Sequence, residues 1–372
     1  MHIVYFLTYG YSLKTWQDSG NLDRELKFME YLNKNFNHTF TLITYGNEDD
    51  ELIMSKYEYI KVLPAYSQIK KSSINLINYF TSLKIPFSIK KLVGNFDLIQ
   101  QNQLHGSWVS ILFKLLTKKP LYTRTGYDMY LFSIFEKKKM YKRFLYYLLT
   151  QITIFFTNSY SVTSHNDLEF LKSNFRLNEK KFSLIRNWID ISNDINLDNK
   201  HTKELLCVGR LEYQKNYEYL INSFSNSEFK IIIYGSGSLL NELKKQAKEK
   251  NTNVEFRGVL EYSELQEVYK EYQFYVSSSL YEGNPKSLIE SMNAGCIPIV
   301  SKIKNNIEIV NSDVGILFDF EDDIRKKITN LSENKEEMSR LSNNAKLKVI
   351  DDYSIKKIGM ETDQMFQNTV TN

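Results

Sequence analysis

Arg210 and Lys215 stand five positions apart in Val208-Gly209-Arg210-Leu211-Glu212-Tyr213-Gln214-Lys215-Asn216, where an apolar run ends at a glycine and a helix is expected to begin. A planar guanidinium fork beside a mobile ammonium suits a diphosphate, because together they neutralise charge developing on a leaving group. A second loop, Tyr234-Gly235-Ser236-Gly237-Ser238, lets backbone approach a ligand where a side chain would block it. The third loop runs from Tyr281 to Pro298 and is the richest. Pro285 near a helix start and Gly295 beyond its end punctuate a helix. Asn284, Lys286 and Ser287 then present backbone N–H groups to an anion at the positive end of that helix, while Pro285 has none to offer. Glu282 precedes the helix and Glu290 lies inside it, so the two carboxylates can hold different parts of one extended ligand, such as sugar hydroxyls and a ribose.

These loops need elements that aim them. Apolar and β-branched runs of four to eight residues alternate with segments of helical period, the signature of parallel sheets with crossover helices. Strands are expected at Ile3–Leu7, Phe40–Thr44, Ile60–Leu63, Leu98–Gln100, Leu121–Thr123, Ile154–Thr157 and Leu184–Ile185. They recur at Leu205–Val208, Ile231–Tyr234, Val254–Phe256, Tyr275–Ser277, Ile299–Val300 and Ile316–Phe318. Leu22, Leu26, Met29 and Leu32 mark one face of a helix. The fold class is therefore α/β, with two doubly wound Rossmann-like domains facing a central cleft. The expected boundaries are 1–187, 188–353 and a final segment 354–372 that crosses back to the first domain, with a linker at 190–203. Ligands of such sheets bind at the carboxyl ends of the strands. Residues 144–156 read as a buried helix followed by a strand, too short and too interrupted to span a bilayer.

A length of 372 residues fits two domains, and 42% hydrophobic with 25% charged residues and a mean hydropathy of -0.40 excludes a disordered, collagen-like or polytopic membrane chain. Cys207 and Cys296 have no neighbours at zinc-ligand spacing and form no disulfide framework, which points to a reducing cytoplasm. The N-terminal run reads as a first strand and not as a secretion signal. Charge is divided unevenly. Residues 1–187 hold 25 Lys/Arg against 15 Asp/Glu, and the remainder holds 23 against 29. The basic excess centres on 51–150, a field for anionic headgroups or phosphorylated substrates.

Taken together, Glu282 and Glu290 at Glu-x7-Glu spacing, the Gly295-x-x-Pro298 tail, Gly209-Arg210-Leu211 with Lys215-Asn216, and Gly235-x-Gly237 resemble glycosyltransferase family 4, of the GT-B fold. The likeness is specific over about 184–320, where Asn187-Trp188-Ile189-Asp190 is similar to the family's domain junction. In the first half, Ser19-Gly20-Asn21 resembles its donor-facing glycine loop, with one glycine in place of two. The resemblance implies a retaining transferase building surface polysaccharide or glycolipid, taking a nucleotide-sugar donor and a glycan or lipid-linked acceptor. In it Arg210 and Lys215 bind the diphosphate, Glu290 the ribose and Glu282 the transferred sugar. Asn284 to Ser287 close on phosphate or sugar. No metal and no cofactor are expected. Many members carry a histidine just before Gly126; here Thr125 stands there, beside Arg124 on the acceptor side, and His105 is the available substitute. Rival readings are a nucleotide-sugar epimerase and an inactive nucleotide-sugar-binding protein, while a dinucleotide oxidoreductase lacks its glycine fingerprint. No nucleic acid partner is expected. Attachment to the inner face of the membrane is expected to be peripheral, led by Lys137, Lys138, Lys139, Lys142 and Arg143.

Overall fold

All pairings among the named strands are parallel, and they form two sheets. The computed structural model describes residues 1–54, 57–126, 128–191 and 200–371. The first sheet contains β1 (His2–Phe6), β2 (Thr39–Thr44), β3 (Ile60–Pro64), β4 (Leu98–Asn102), β5 (Leu121–Thr125), β6 (Ser159–Val162) and β7 (Phe182–Leu184). Its order is β3-β2-β1-β4-β5-β6-β7. The second contains β8 (His201–Val208), β9 (Lys230–Tyr234), β10 (Val254–Gly258), β11 (Tyr272–Ser277), β12 (Ile297–Ser301) and β13 (Ile316–Phe318). Its order is β10-β9-β8-β11-β12-β13. Strand order reverses direction at β1/β4 in one sheet and at β8/β11 in the other, and these are the switch points where doubly wound sheets open a crevice.

The strands form because both of their faces are buried. In the second sheet Leu205, Cys207, Ile231, Ile233, Phe274 and Val276 enter one core layer, while Leu206, Ile232, Tyr234 and Tyr275 enter the opposite one. That alternation is the period of two expected of extended chain.

The chain divides into two compact units, Met1–Arg186 with Ile358–Asn372, and Asn187–Lys357. The second division thus falls inside the last helix, Ile355–Thr371, and not at its start. That helix is held to the first unit by a hydrogen bond between His38 Nε2 and Asp363 Oδ1 at 2.8 Å, by Phe366 against Tyr122, and by Gly359 seated on the Tyr31 ring. The expected linker at 190–203 coincides for the most part with residues 192–199, outside the described residues.

One expected element is different. Ile154 to Thr157 is not a strand: a helix runs unbroken over Met140–Phe156, and β6 follows only at Ser159. No glycine or proline interrupts 140–156, so helical period carries through the β-branched Thr153 and Ile154. Nor is this helix buried. Thr150, Thr153 and Ile154 face inward, while Phe144, Leu145 and Phe155 are more than half exposed.

Candidate functional site

In the second unit the loops leaving β8, β9 and β11 lock together at the switch point. Gly209 N–H donates to Tyr234 O at 2.9 Å, and Leu211 N–H to Ser236 O at 2.9 Å. A Cβ on Gly235 would lie 1.9 Å from Gly209 O, and one on Gly237 2.4 Å from Leu211 O. The close approach these glycines permit is therefore between the chain's own loops, which fixes the backbone on either side of Arg210.

A single 3-10 turn, Tyr213–Lys215, then ends at Asn216, whose φ of 49° is a left-handed conformation that asparagine tolerates. The reversal brings Lys215 O and Asn216 O within 3.0 and 2.8 Å of the Ser278 hydroxyl, which donates to both just past β11. Leu280 N–H donates to Gln214 O at 2.9 Å. Two loops distant in sequence are thereby joined by backbone, and their charged side chains meet.

Lys215 Nζ lies 2.5 Å from Glu282 Oε1. The same oxygen accepts from Ser279 Oγ at 2.6 Å, and Glu282 Oε2 from Gln214 Nε2 at 3.2 Å. Glu282 is 8% exposed, so both of its oxygens are held by neighbours within the unit. Arg210 Nη2 donates weakly to Gln214 Oε1 at 3.4 Å. The sequence reading brought out Arg210, Lys215 and Glu282 but missed Gln214, the amide that touches both ends of the constellation. Its position inside the Arg210-to-Lys215 loop was the available signal.

The helix Lys286–Asn293 starts after Pro285, whose side chain makes no cap hydrogen bond. Ser287 Oγ pairs with Tyr275 Oη at 2.8 Å, and Asn187 Nδ2 donates to Asn284 O at 2.9 Å. Among the described residues Asn284 Oδ1 is a buried acceptor without a donor, an atom that a ligand hydroxyl can complete. Glu290 is 4% exposed, with Tyr269 Oη donating to its Oε2 at 3.3 Å; burial and this carboxylate both push the Tyr269 phenol far up. Gly295, at a φ of 77°, ends the helix and turns the chain into β12.

The first unit's switch point is built differently. Tyr9, beyond β1, donates its N–H to His105 O beyond β4 at 2.8 Å. Around His105 stand Tyr9, Tyr79 and Trp108, with ring centroids 5.3, 6.1 and 5.3 Å away, and Tyr45 packs edge-on to Tyr9. Burial lowers the His105 pKa from its ordinary value, so the imidazole is neutral at pH 7, with Nε2 3.4 Å from the Tyr79 hydroxyl. The aromatic partners come from segments that no motif joins, and only their positions just past strands or on an apolar helix hinted at them.

The start of the first helix, Leu13–Asp18, is already occupied by an anion of the chain. Asp50 Oδ1 accepts from Leu13 N–H and Lys14 N–H at 3.1 and 3.3 Å, and its Oδ2 from Thr44 Oγ1 at 2.5 Å. Gly20 does not lie in the loop leaving β1; it follows the C-cap of this helix at a φ of 67°, and the loop after β1 carries Gly10 instead. Arg124 Nη2 donates to Arg186 O at 3.1 Å. Thr125 is 3% exposed and donates to Tyr160 Oη, which leaves it little surface for an acceptor. Asp128, which the sequence reading passed over, caps the helix Met129–Phe135 from a buried position, and burial raises its pKa to about 6.

Residues 189–348 match the family described as Glycosyl transferases group 1. Over 154 residues the chain is 32% identical to the N-acetylgalactosamine-N,N'-diacetylbacillosaminyl-diphospho-undecaprenol 4-alpha-N-acetylgalactosaminyltransferase of Campylobacter jejuni, a match covering 38% of this chain and 40% of that protein. Over 313 residues it is 22% identical to the UDP-Gal:alpha-D-GlcNAc-diphosphoundecaprenol alpha-1,3-galactosyltransferase of Escherichia coli, covering 76% and 80%. The chain spans less than half the length of the curated relatives it matches at 28% identity or more. Among solved structures, sucrose-phosphate synthase from Thermosynechococcus elongatus superposes with a TM-score of 0.80 at 14% identity, over 99% of this chain and 98% of that one. HepE of Anabaena, crystallised with UDP and glucose, superposes with 0.74 at 14% identity over 99% of both. These likenesses establish the fold as GT-B.

Proposed function

We propose that this chain, whose residues 189–348 match Glycosyl transferases group 1, is a retaining glycosyltransferase. It moves a sugar from a nucleotide-sugar donor to a glycan or lipid-linked acceptor in surface polysaccharide or glycolipid synthesis. The observation that carries the reading is the convergence of Arg210, Gln214 and Lys215 with Glu282 at the β8/β11 switch point, cations and carboxylate held by two backbone-joined loops. The relatives from Campylobacter jejuni and Escherichia coli, whose names place their acceptors on diphospho-undecaprenol, support the acceptor class.

In this reading Arg210 and Lys215 take the donor diphosphate, and the positive end of the Lys286–Asn293 helix dipole adds to the field. Their positive charge stabilises the leaving nucleotide diphosphate as the glycosidic bond breaks, a task for which no metal is invoked. Glu282, both oxygens already engaged, aims Lys215 and presents its remaining lone pairs to the transferred sugar. Glu290 binds the ribose. The aromatic faces around His105 suit the apolar side of an acceptor sugar ring, and neutral His105 is free to exchange a hydrogen bond with an acceptor hydroxyl. The leaving phosphate oxygen takes the acceptor proton on the same face, so no enzyme nucleophile is needed.

The test is nucleotide release from a panel of nucleotide sugars, with and without undecaprenyl-diphosphate-linked acceptors, in buffer with and without EDTA. Acceptor-dependent release, product with the donor's anomeric configuration, and indifference to EDTA are expected. Donor interconversion without acceptor would make the chain an epimerase, and donor binding without turnover an inactive binding protein.

A further inference from the structure

The helix Met140–Phe156 in the first unit turns its apolar stripe outward. Tyr141, Phe144, Leu145, Leu148, Ile152 and Phe155 are 39–73% exposed and recur mostly at three- and four-residue steps, which places them on one face. The opposite face is fastened down: Thr153 Oγ1 lies 2.7 Å from Ser107 Oγ on the helix Ser107–Thr117. That helix also packs against Ile85–Val93, where Lys90 Nζ donates to Leu116 O at 3.0 Å. Phe87 and Leu115 on these two helices, and Leu76 and Phe80 on the helix Asn75–Ser82, whose Ser82 Oγ accepts from Trp108 Nε1 at 2.9 Å, are 55–68% exposed. Of the 26 large apolar side chains exposed among the described residues, 17 fall between 74 and 155. Such concentration marks an interaction surface, because singly scattered apolar residues are ordinary but contiguous ones are not.

The same stretch is strongly cationic. Residues 74–155 contain twelve Lys/Arg and three Asp/Glu. Lys137, Lys138, Lys139, Lys142 and Arg143 cluster at the start of the outward-facing helix, with Lys138 reaching over the Tyr146 ring at 5.6 Å. Apolar face and cationic end belong to one element. Among the described residues no helix is long and apolar enough to cross a membrane. This one, 17 residues long, extends about 26 Å against the ~30 Å of a hydrocarbon core.

We propose that this face docks on an anionic phospholipid bilayer, with the Met140–Phe156 helix lying in the interfacial plane. Its aromatic and aliphatic stripe enters the headgroup–acyl boundary, and its cationic N-terminal end rests on lipid phosphates. Charge selects lipid over a second copy of the chain, since two identical surfaces of this sign would oppose each other across a two-fold contact. The inference is independent of the transferase reading, because vesicle binding requires neither donor nor acceptor.

Co-sedimentation with vesicles of phosphatidylcholine alone, and of phosphatidylcholine with about one third phosphatidylglycerol, tests it at low and high salt. Binding to the anionic vesicles should be at least tenfold tighter, and high salt should weaken it while apolar insertion retains a residue of bound protein. Phe144→Ser combined with Phe155→Ser should lower binding at least tenfold without changing the melting temperature, since both side chains are exposed. Lys142→Glu with Arg143→Glu should remove the preference for anionic lipid. Leu347→Ser, exposed in the second unit, should have no effect. Binding to neither vesicle, undiminished binding by the double phenylalanine variant, or a dimer that this variant dissolves would overturn the proposal, the last by placing a second copy on the face.

Discussion

Two switch points of the same topology carry opposite chemistry. At β8/β11 the loops meet through charge, with Lys215 on Glu282, while Gly235 of the loop after β9 lies against the backbone of Gly209. At β1/β4 they meet through the hydrogen bonds from Tyr9 N–H to His105 O and from Thr8 Oγ1 to Asn102 O, among aromatic rings. The start of the first helix there is closed by the chain's own Asp50, so the position that binds phosphate in many doubly wound sheets is filled. A parallel sheet thus fixes where a ligand can sit, and the loop residues decide what kind. Charge at one switch point suits a leaving diphosphate; aromatic faces at the other suit a neutral sugar.

The strongest way to break this contrast is to remove the charge. Lys215→Ala should lower kcat/KM for nucleotide release at least a hundredfold, about 3 kcal/mol of transition-state stabilisation, because it removes the cation and leaves Glu282 buried without its partner. Lys215→Arg should recover only part, since its planar fork does not reproduce the geometry of an ammonium. Replacing His105 by Gln should change kcat/KM by about tenfold at most, because no charge is lost there. Equal losses at the two positions would erase the distinction between the switch points.

Glycine substitution sharpens the contrast in stability. Gly235→Ala drives a methyl against Gly209 backbone, which cannot step aside without moving Arg210, and should cost about 2–3 kcal/mol by urea denaturation with a parallel loss of turnover. Gly10→Ala, in the loop after β1, meets no atom within 4 Å and bears only the strain of a φ of 85°. A loss of about 1 kcal/mol is expected there. A larger loss for Gly10 than for Gly235 would show that the first unit's loop is the tighter of the two.

The same contrast explains what the sequence made legible. Strands such as β9 and β12, buried on both faces, leave continuous apolar runs that announce themselves. Arg210 and Lys215 share one contiguous stretch of chain and Glu282 and Glu290 another, so their spacing survives as a motif. Tyr9, Tyr79, His105 and Trp108 come together from three stretches of chain through tertiary packing alone, and only His105 stood out. The Met140–Phe156 helix was misread for a related reason: an apolar run reads as core whether its face is buried or exposed, and its Thr153-Ile154 end carries strand propensity that the uninterrupted helix overrides. Gly20, read as donor-facing from its local sequence, also ends the helix Leu13–Asp18 at a φ of 67°.

Asp128 offers a pH-dependent test of the first unit. Its carboxyl is 4% exposed, and burial lifts its pKa from 3.8 to about 6 despite the amide of Leu131 donating at 2.7 Å. The native state therefore binds this proton more tightly than the unfolded chain, so stability declines as pH rises from about 4 to 6 and the full penalty persists above that window. Asp128→Asn keeps an oxygen for the helix cap and removes the charge. It should raise stability by about 2 kcal/mol at pH 7.5 and by little at pH 4, measured as urea midpoints at both values. An asparagine variant less stable than the parent at pH 7.5 would mean that the ionised carboxylate is welcome where it sits.

The smallest expected effect separates a structural glycine from a ligand-facing one. Gly20 N–H donates to Gln17 O at 3.0 Å and Asn21 N–H to Trp16 O at 2.8 Å, the two bonds of a Schellman ending after the helix Leu13–Asp18. Its φ of 67° is accessible to asparagine at little strain and to alanine at more. Gly20→Ala should thus cost about 1 kcal/mol of stability, and Gly20→Asn about half of that. Turnover of both folded variants should stay within about twofold of the parent, because the glycine ends a helix and no ligand needs its missing side chain. A tenfold fall in kcat/KM for the alanine variant at an unchanged melting temperature would instead place Gly20 among the donor-facing residues.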